Sequence, residues 1–143
     1  MLDGGTLVSV YDMPLKKVKI NGTMKKRIDS RALHELLVQH DVDHVFLEQV
    51  TAMPGQGVSS MFAFGRATGI AEGVAATKSE DLIEVRPQVW KRHFDLTGSK
   101  DGSRELAMER WPRMAAYFQR KKDDGRAEAA LIGLWGYECH LQK

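Results

Sequence analysis

Residues 44–50 read HVFLEQV, a mostly apolar run of strand length that carries the polar pair Glu48 and Gln49 near its end. An ionised carboxylate in such a strand is costly unless it is paired or binds a metal. Residues at the carboxyl end of a strand in an open α/β sheet also face the usual ligand crevice. Two interpretations of Glu48 follow: a metal ligand, or a strand-end glutamate that reaches solvent or pairs with a lysine.

The sequence on either side of this run predicts alternating strands and helices. Further strands are predicted at residues 6–11, 16–20 and 82–85, with a turn at Asn21-Gly22 and a loop at 53–57. Helices are predicted after Asp29 or Ser30, over 59–76 with Ser59 or Ser60 as the cap, from 87 to 93, over 103–111, and from Asp123 or Asp124 to about Gly136. This alternation is typical of an α/β domain whose sheet is covered on both faces.

Length and composition predict one globular domain spanning residues 1–143. Apolar residues make up 43% and charged residues 28% of the chain, which is the composition of a soluble protein and not of a disordered one. Cys139 is the only cysteine, so an internal disulfide is excluded and a reducing compartment is favoured. Without a signal-peptide pattern or a long apolar run, we expect a cytoplasmic protein of a bacterium or a phage-infected cell, with no membrane partner.

Positive charge is concentrated in one part of the sequence. The whole chain has a net charge of +2, whereas residues 86–126 contain eleven Lys and Arg against six Asp and Glu, a local excess of +5. Such an excess is compatible with a surface for a polyanion. Solvated helix faces would give the same pattern.

The predicted helix at 59–76 is unusually rich in small residues. It contains Gly65, Gly69 and Gly73 among several alanines. A glycine costs about 1 kcal/mol in a helix relative to alanine. Three of them therefore predict close packing, either against a sheet or against a partner helix.

A second acidic cluster lies at residues 123–128, which read DDGRAE. If Asp124 caps the last helix, Glu128 lies one turn further along the same face. Two or three carboxylates at a helix start could hold a hard divalent cation. Ordinary capping by acidic residues is the alternative, because it stabilises many helices.

Five segments in the order of the chain resemble segments of the RuvC-type Holliday junction resolvases, particularly the branch encoded by phages and prophages. They are FLEQV at 46–50, SMFAFGRATGIAEGVAA at 60–76, VRPQVWK at 85–91, LTGSK at 96–100 and DGRAEAALIG at 124–133. The likeness extends from residue 45 to 136 of the 143. Its strength lies in the order and spacing of the segments.

The resemblance implies an RNase H-like fold, with a mixed central sheet flanked by helices. It implies an endonuclease that cuts branched DNA at four-way junctions, acts as a homodimer and uses Mg²⁺ or Mn²⁺. Glu48, Asp124 and Glu128 would be the catalytic metal ligands, with Asp123 as the alternate if the helix starts one residue earlier. Cellular members have two acids three residues apart, whereas Asp124 and Glu128 are four apart.

The resemblance also implies contacts with DNA. Lys91 and Lys100 would contact phosphates, and Arg86 and Lys121 belong to the basic stretch that surrounds them. Met53, in the predicted loop, could wedge between bases at the junction. The alternatives are surface cations and an apolar residue that packs.

The start of the chain departs from the family pattern. The family opens with a strand that carries the first catalytic aspartate, and residues 5–14 resemble the second strand. The first strand would then lie upstream of Met1, with Asp3 as a possible substitute within the chain. Two-metal hydrolysis places ions about 4 Å apart among several carboxylates. A chain without the first aspartate would be a catalytically impaired, junction-binding remnant.

Overall fold

A computed structural model describes residues 1–79 and 81–143, and its elements confirm a mixed α/β class. The strands are β1 (Leu2–Asp3), β2 (Thr6–Leu7), β3 (Leu15–Ile20), β4 (Thr23–Ile28), β5 (His44–Glu48) and β6 (Asp81–Val85). The helices are α1 (Ser30–Gln39), α2 (Val58–Ala76), α3 (Pro87–His93), α4 (Gly102–Arg110) and α5 (Asp124–Gly136). Short 3₁₀ segments at Pro112–Phe118 and Lys121–Asp123 precede α5, and a π-helical turn at Tyr137–Leu141 follows it. In the described part of the chain, none of the helices combines the length and the apolar character of a membrane span.

The described strands pair two at a time and form three two-stranded sheets, so the mixed central sheet stays a prediction. β1 pairs with β2 and β3 with β4, both antiparallel, and β5 pairs with β6. The β3–β4 hairpin leaves most of its side chains exposed, because lysines occur on both of its faces. A strand pair with charged residues on both faces does not favour the apolar contacts of a central sheet.

The chain divides into two compact units. Unit 1 comprises Met1–Asp12, Phe46–Gln49 and Glu84–Lys143, and unit 2 comprises Met13–Val45 and Val50–Ile83. Each unit is assembled from separated segments, so no single linker divides the sequence. The prediction of one domain over residues 1–143 stays a prediction.

The core of unit 1 surrounds α5. Trp90, Phe118 and Leu131 are fully buried there, as expected for large apolar side chains. Gly136 packs directly against the Phe46 ring, where any Cβ atom would collide with the ring. Small residues on α5 therefore allow close contact with β5.

Unit 2 contains the β3–β4 hairpin, α1 and α2. The predicted turn is confirmed: Asn21 has φ 48° and Gly22 has φ 77°, which is the pattern of a type I′ hairpin turn. Asp29 caps α1 as predicted, accepting the Ala32 N–H at 3.1 Å. The strand β4 was not predicted, because its TMKKRI sequence is nearly all polar.

Several predicted boundaries were wrong. The strand at residues 6–11 is reduced to Thr6–Leu7, because its partner β1 is only two residues long and the ladder ends where Val8 donates to the Met1 carbonyl at 3.0 Å. Helix α2 begins at Val58 after Gly57, and neither Ser59 nor Ser60 caps it.

The small residues of α2 make fewer contacts than the sequence predicts. Within the described chain, no atom outside the helix's own backbone lies within 4 Å of where a Cβ would stand on Gly65, Gly69 or Gly73. Phe62 and Phe64 on the same helix are exposed by 69% and 43%. The close packing predicted for these glycines is therefore not made within unit 2.

Candidate active site

Glu48 is the last residue of β5, and a core tryptophan holds its carboxylate. The Trp90 Nε1–H donates to Glu48 Oε1 at 2.9 Å. Trp90 is fully buried at the centre of α3. Its polar role was missed, because the two residues lie 42 positions apart in the sequence. A hydrogen bond from a rigid, buried indole fixes the direction of the Glu48 carboxylate.

The residue after Glu48 is also held by the segment that leads into α3. Arg86 Nε donates to Gln49 Oε1 at 3.2 Å, and the Gln49 backbone N–H donates to the Val85 carbonyl at 2.7 Å. The segments at 46–50 and 85–91 therefore meet at the ends of β5 and β6. Arg86, which was expected to contact DNA, is exposed at the ends of β5 and β6.

Lys91 connects the same region to α5. Its Nζ lies 3.3 Å from Glu128 Oε1 and 5.2 Å from the centre of the Trp90 ring. About a third of each charged side chain is exposed, 36% for Lys91 and 33% for Glu128. The consecutive residues Trp90 and Lys91 thus contact Glu48 on β5 and Glu128 on α5.

Asp124, one turn before Glu128, pairs with a buried arginine. Arg104 Nε donates to Asp124 Oδ1 at 2.9 Å, and its terminal nitrogens bond to Asp101 and to the Gln119 carbonyl. The hydrogen bond that Arg104 donates to Asp101, together with the charges of the Asp101 and Asp124 carboxylates, raises the pKa of Arg104 above its ordinary value. Half of the Asp124 side chain remains exposed, at 51%.

Asp123 lies in a different environment from Asp124. It is 1% exposed, and its carboxylate accepts from the Arg120 guanidinium at 2.9 Å, with Arg126 Nη1 at 3.5 Å. The hydrogen bonds from Arg120 lower the pKa of Asp123 to about 2, with a smaller contribution from the charge of Arg126. Both oxygens of the buried Asp123 carboxylate are therefore engaged by Arg120, and Asp124 is the more accessible of the two aspartates.

Arg126 also binds the residue at the end of the N-terminal segment. Its guanidinium donates to both Asp12 oxygens at 2.7 Å. The Arg126 hydrogen bond lowers the pKa of Asp12. Asp12 thus anchors residues 1–12 to α5.

Three of the predicted DNA-contact residues make no described hydrogen bond or ion pair with Glu48, Asp124 or Glu128. Lys100 is exposed in the loop before α4, and Lys121 is exposed in the 3₁₀ segment before α5. Met53 is 62% exposed in a loop of unit 2, where its backbone N–H donates to Gln56 Oε1 at 3.4 Å. Of the basic residues at 86–126, Lys91, Arg104, Arg120 and Arg126 form ion pairs.

The carboxylates of unit 1 offer the right donor chemistry for a divalent cation but are separately paired. Among residues 1–79 and 81–143, no three His, Cys, Asp or Glu side chains are grouped closely enough to hold a metal ion together. Carboxylate oxygens are the ligands that Mg²⁺ and Mn²⁺ prefer. The Lys91 ammonium beside Glu128 supplies the positive charge that these carboxylates attract, so a divalent ion would have to displace it.

Comparison with known proteins gives no family. The sequence matches no protein-family model, and no curated protein is significantly similar to it.

Proposed function

We propose that this chain is a structure-selective DNA endonuclease of the RuvC type, with an RNase H-like fold. It would hydrolyse phosphodiester bonds at four-way junctions with Mg²⁺ or Mn²⁺, as a homodimer. The observation that carries the proposal is the joint contact of Trp90 with Glu48 and of Lys91 with Glu128. Two predicted metal ligands from segments far apart in the sequence, Glu48 and Glu128, thereby contact consecutive residues of α3.

Glu48, Glu128 and Asp124 are the carboxylates that would have to converge to hold the metal, and Glu128 and Asp124 would first have to leave Lys91 and Arg104. The chemistry that two divalent ions would supply there is activation of a water molecule and stabilisation of the leaving oxygen. Trp90 keeps Glu48 oriented through its Nε1–H. Lys91, once released from Glu128, would be free to contact a phosphate oxygen, and Lys100 and Arg86 would add positive charge for the DNA backbone.

Metal binding can be tested by thermal unfolding with and without millimolar Mn²⁺. A cation that binds the folded chain raises its melting temperature by mass action. We expect a rise for the wild-type chain that is lost in Glu48→Gln. Glu109→Gln is the matched control, because Glu109 is an exposed glutamate on α4. Equal melting temperatures in all conditions would remove the support for the metal site.

Cleavage can be tested on a synthetic four-way junction, with this chain and with a version extended by any coding sequence upstream of Met1. The proposal expects cuts in Mg²⁺ or Mn²⁺ that Glu48→Gln abolishes. If the extended protein binds junctions but never cuts, and Glu48→Gln changes nothing, the enzyme proposal is wrong.

A second candidate is a junction-binding chain that does not cleave. The ion pairs of Glu128 with Lys91 and of Asp124 with Arg104 favour it, because both carboxylates already have a positive partner. An in-frame upstream strand carrying an aspartate would favour the nuclease. A stop codon directly upstream would favour the binding chain.

A further inference from the structure

The most basic part of the molecule is the β3–β4 hairpin and not the region around α5. Residues 15–28 contain six Lys and Arg and not one Asp or Glu. Over the same residues, the antiparallel register places Lys16 opposite Arg27 and Lys17 opposite Lys26. Like charges directly opposite each other destabilise a strand pair. The hairpin therefore carries a charge arrangement that an anion would stabilise.

One face of this hairpin and one face of α2 enclose a groove in unit 2. The groove has a volume of about 270 Å³. Lys16, Val18, Ile20, Arg27, Ile28 and Ser30 line it on one side, and Phe62, Arg66 and Ile70 line it on the other. The α2 residues are spaced by four positions, so they share one face of the helix.

Three cations converge on this groove without a counter-charge. Lys16, Arg27 and Arg66 all line it, and no acidic residue is among its described lining residues. In the described chain, none of these three cations lies within ion-pair distance of a carboxylate. Arg27 Nη1 is shielded from solvent and has no hydrogen-bond partner there. An unsatisfied guanidinium nitrogen of this kind costs free energy that an oxyanion would recover.

The groove also presents an aromatic ring. Phe62 is 69% exposed although it is flanked by the apolar side chains of the groove. An exposed aromatic ring beside a basic groove is the arrangement by which proteins bind unpaired nucleic-acid strands: cations contact the backbone and bases stack on the ring.

We propose that this groove binds a nucleotide of an unpaired nucleic-acid strand. The phosphate would lie between Lys16, Arg27 and Arg66, and the base would stack on Phe62. The contact goes beyond the proposed function, since it concerns an unpaired nucleotide and not the cleavage of a phosphodiester bond. It needs no divalent metal and none of the carboxylates of unit 1.

Binding of a short fluorescent oligothymidylate, measured by anisotropy in EDTA, tests the groove. We expect the double variant Lys16→Gln/Arg66→Gln and the variant Phe62→Ala each to weaken binding about tenfold, as loss of stacking or of phosphate contacts does elsewhere. Lys17→Gln/Lys19→Gln is the matched control, because it removes the same charge from exposed positions that do not line the groove. The control should lose less than about twofold.

Three results would overturn the proposal. The first is an equal loss in the groove and control variants, which would show a diffuse electrostatic effect. The second is unchanged binding in Phe62→Ala. The third is a blunt duplex that binds as tightly as the oligothymidylate and is equally weakened by Phe62→Ala. Circular dichroism of each variant checks that unit 2 remains folded. Junction cleavage that depends on Glu48 is measured separately, so the nuclease proposal and this one fail independently.

Discussion

At the scale of single residues, the indole of Trp90 has two roles. It fills the core of unit 1 and donates the hydrogen bond that holds Glu48. Trp90→Phe keeps an aromatic ring in the core but removes the donor. A hydrogen bond to a charged group contributes about 1.5–3 kcal/mol, so we expect a loss of that order in the free energy of unfolding, together with any cost of repacking.

Two further variants separate these contributions. Trp111→Phe removes an indole elsewhere in the same core and reports the cost of repacking. Trp90→Phe combined with Glu48→Ala completes a double-mutant cycle in denaturant unfolding, because alanine has no oxygen to accept the indole N–H. Additive effects, with no coupling between the two positions, would contradict a hydrogen bond that orients Glu48.

Asp123 gives the fold a defined response to acid. Its pKa is about 2 in the folded chain, whereas an unfolded aspartate titrates near 3.9. Because the folded value is lower, the ionised carboxylate stabilises the fold fully above about pH 4. This contribution is lost as the pH falls from about 4 towards 2.

We therefore expect the melting temperature to decrease over that acidic range, and Asp123→Asn to flatten part of the decrease. Melting temperatures at pH steps between about 2 and 6 measure the effect. Asp12→Asn is a useful comparison, because Asp12 pairs with the same arginine but is 70% exposed. If both variants follow the wild-type profile, the ion pairs of Asp123 do not govern acid stability.

Part of the candidate site could be predicted from the sequence. Glu48, Asp124 and Glu128 were selected because acids near a strand end or a helix start are local patterns. Their partners were not found: Trp90 is 42 residues from Glu48, and Arg104 is 20 residues from Asp124. Such pairs depend on how segments pack, which a single sequence does not encode in any local pattern.

At the scale of elements, the β3–β4 hairpin combines a strong turn with unfavourable charge. Lys16 and Arg27 are cross-strand neighbours that repel each other, and Lys16→Glu would replace this repulsion by the attraction between a glutamate and Arg27. We expect a gain of about 0.2–1 kcal/mol in the free energy of unfolding, together with weaker binding of oligothymidylate. Lys19→Glu is the control, because Lys19 lies opposite Met24. A gain of equal size in the control would point to net charge and not to the cross-strand pair.

The elements also show which sequence patterns are reliable. The Asn21-Gly22 turn, the Asp29 cap and the start of α3 at Pro87 were predicted and are confirmed, because each depends on a few adjacent residues. The pairing of strands into one central sheet was not predictable in this way. It requires partners from distant segments, and the described strands pair only two at a time.

At the scale of the whole molecule, α2 supplies a surface for the proposed homodimer. Met61, Phe64, Gly65 and Gly69 line a groove of about 230 Å³ on a face different from that of Phe62 and Arg66. A second copy could approach the helix closely there, since the glycines leave its backbone uncovered. A symmetric dimer would use the same patch on both subunits.

Sedimentation at micromolar concentration tests this assembly. We expect a dimer for the wild-type chain and a monomer for Gly65→Leu, whose side chain would block the close approach. Gly73→Leu is the matched control, because Gly73 lies on the same helix but does not line the groove. Each substitution also removes a helix glycine, so the fold of the monomer should not be weakened. A strict monomer for the wild type would exclude the symmetric arrangement.

The contact between Gly136 and Phe46 has a consequence for how this sequence can change over evolutionary time. A larger residue at position 136 is tolerated only if the ring at position 46 shrinks, because no space remains between them. Substitutions at positions 46 and 136 should therefore be correlated, with a larger side chain at one position accompanied by a smaller side chain at the other. Gly65, Gly69 and Gly73 face no such constraint within a single subunit. Among descendants of this chain, retention of glycine at positions 65 and 69 would consequently indicate selection by a partner molecule, whereas retention of glycine at position 136 would indicate only the requirements of the fold.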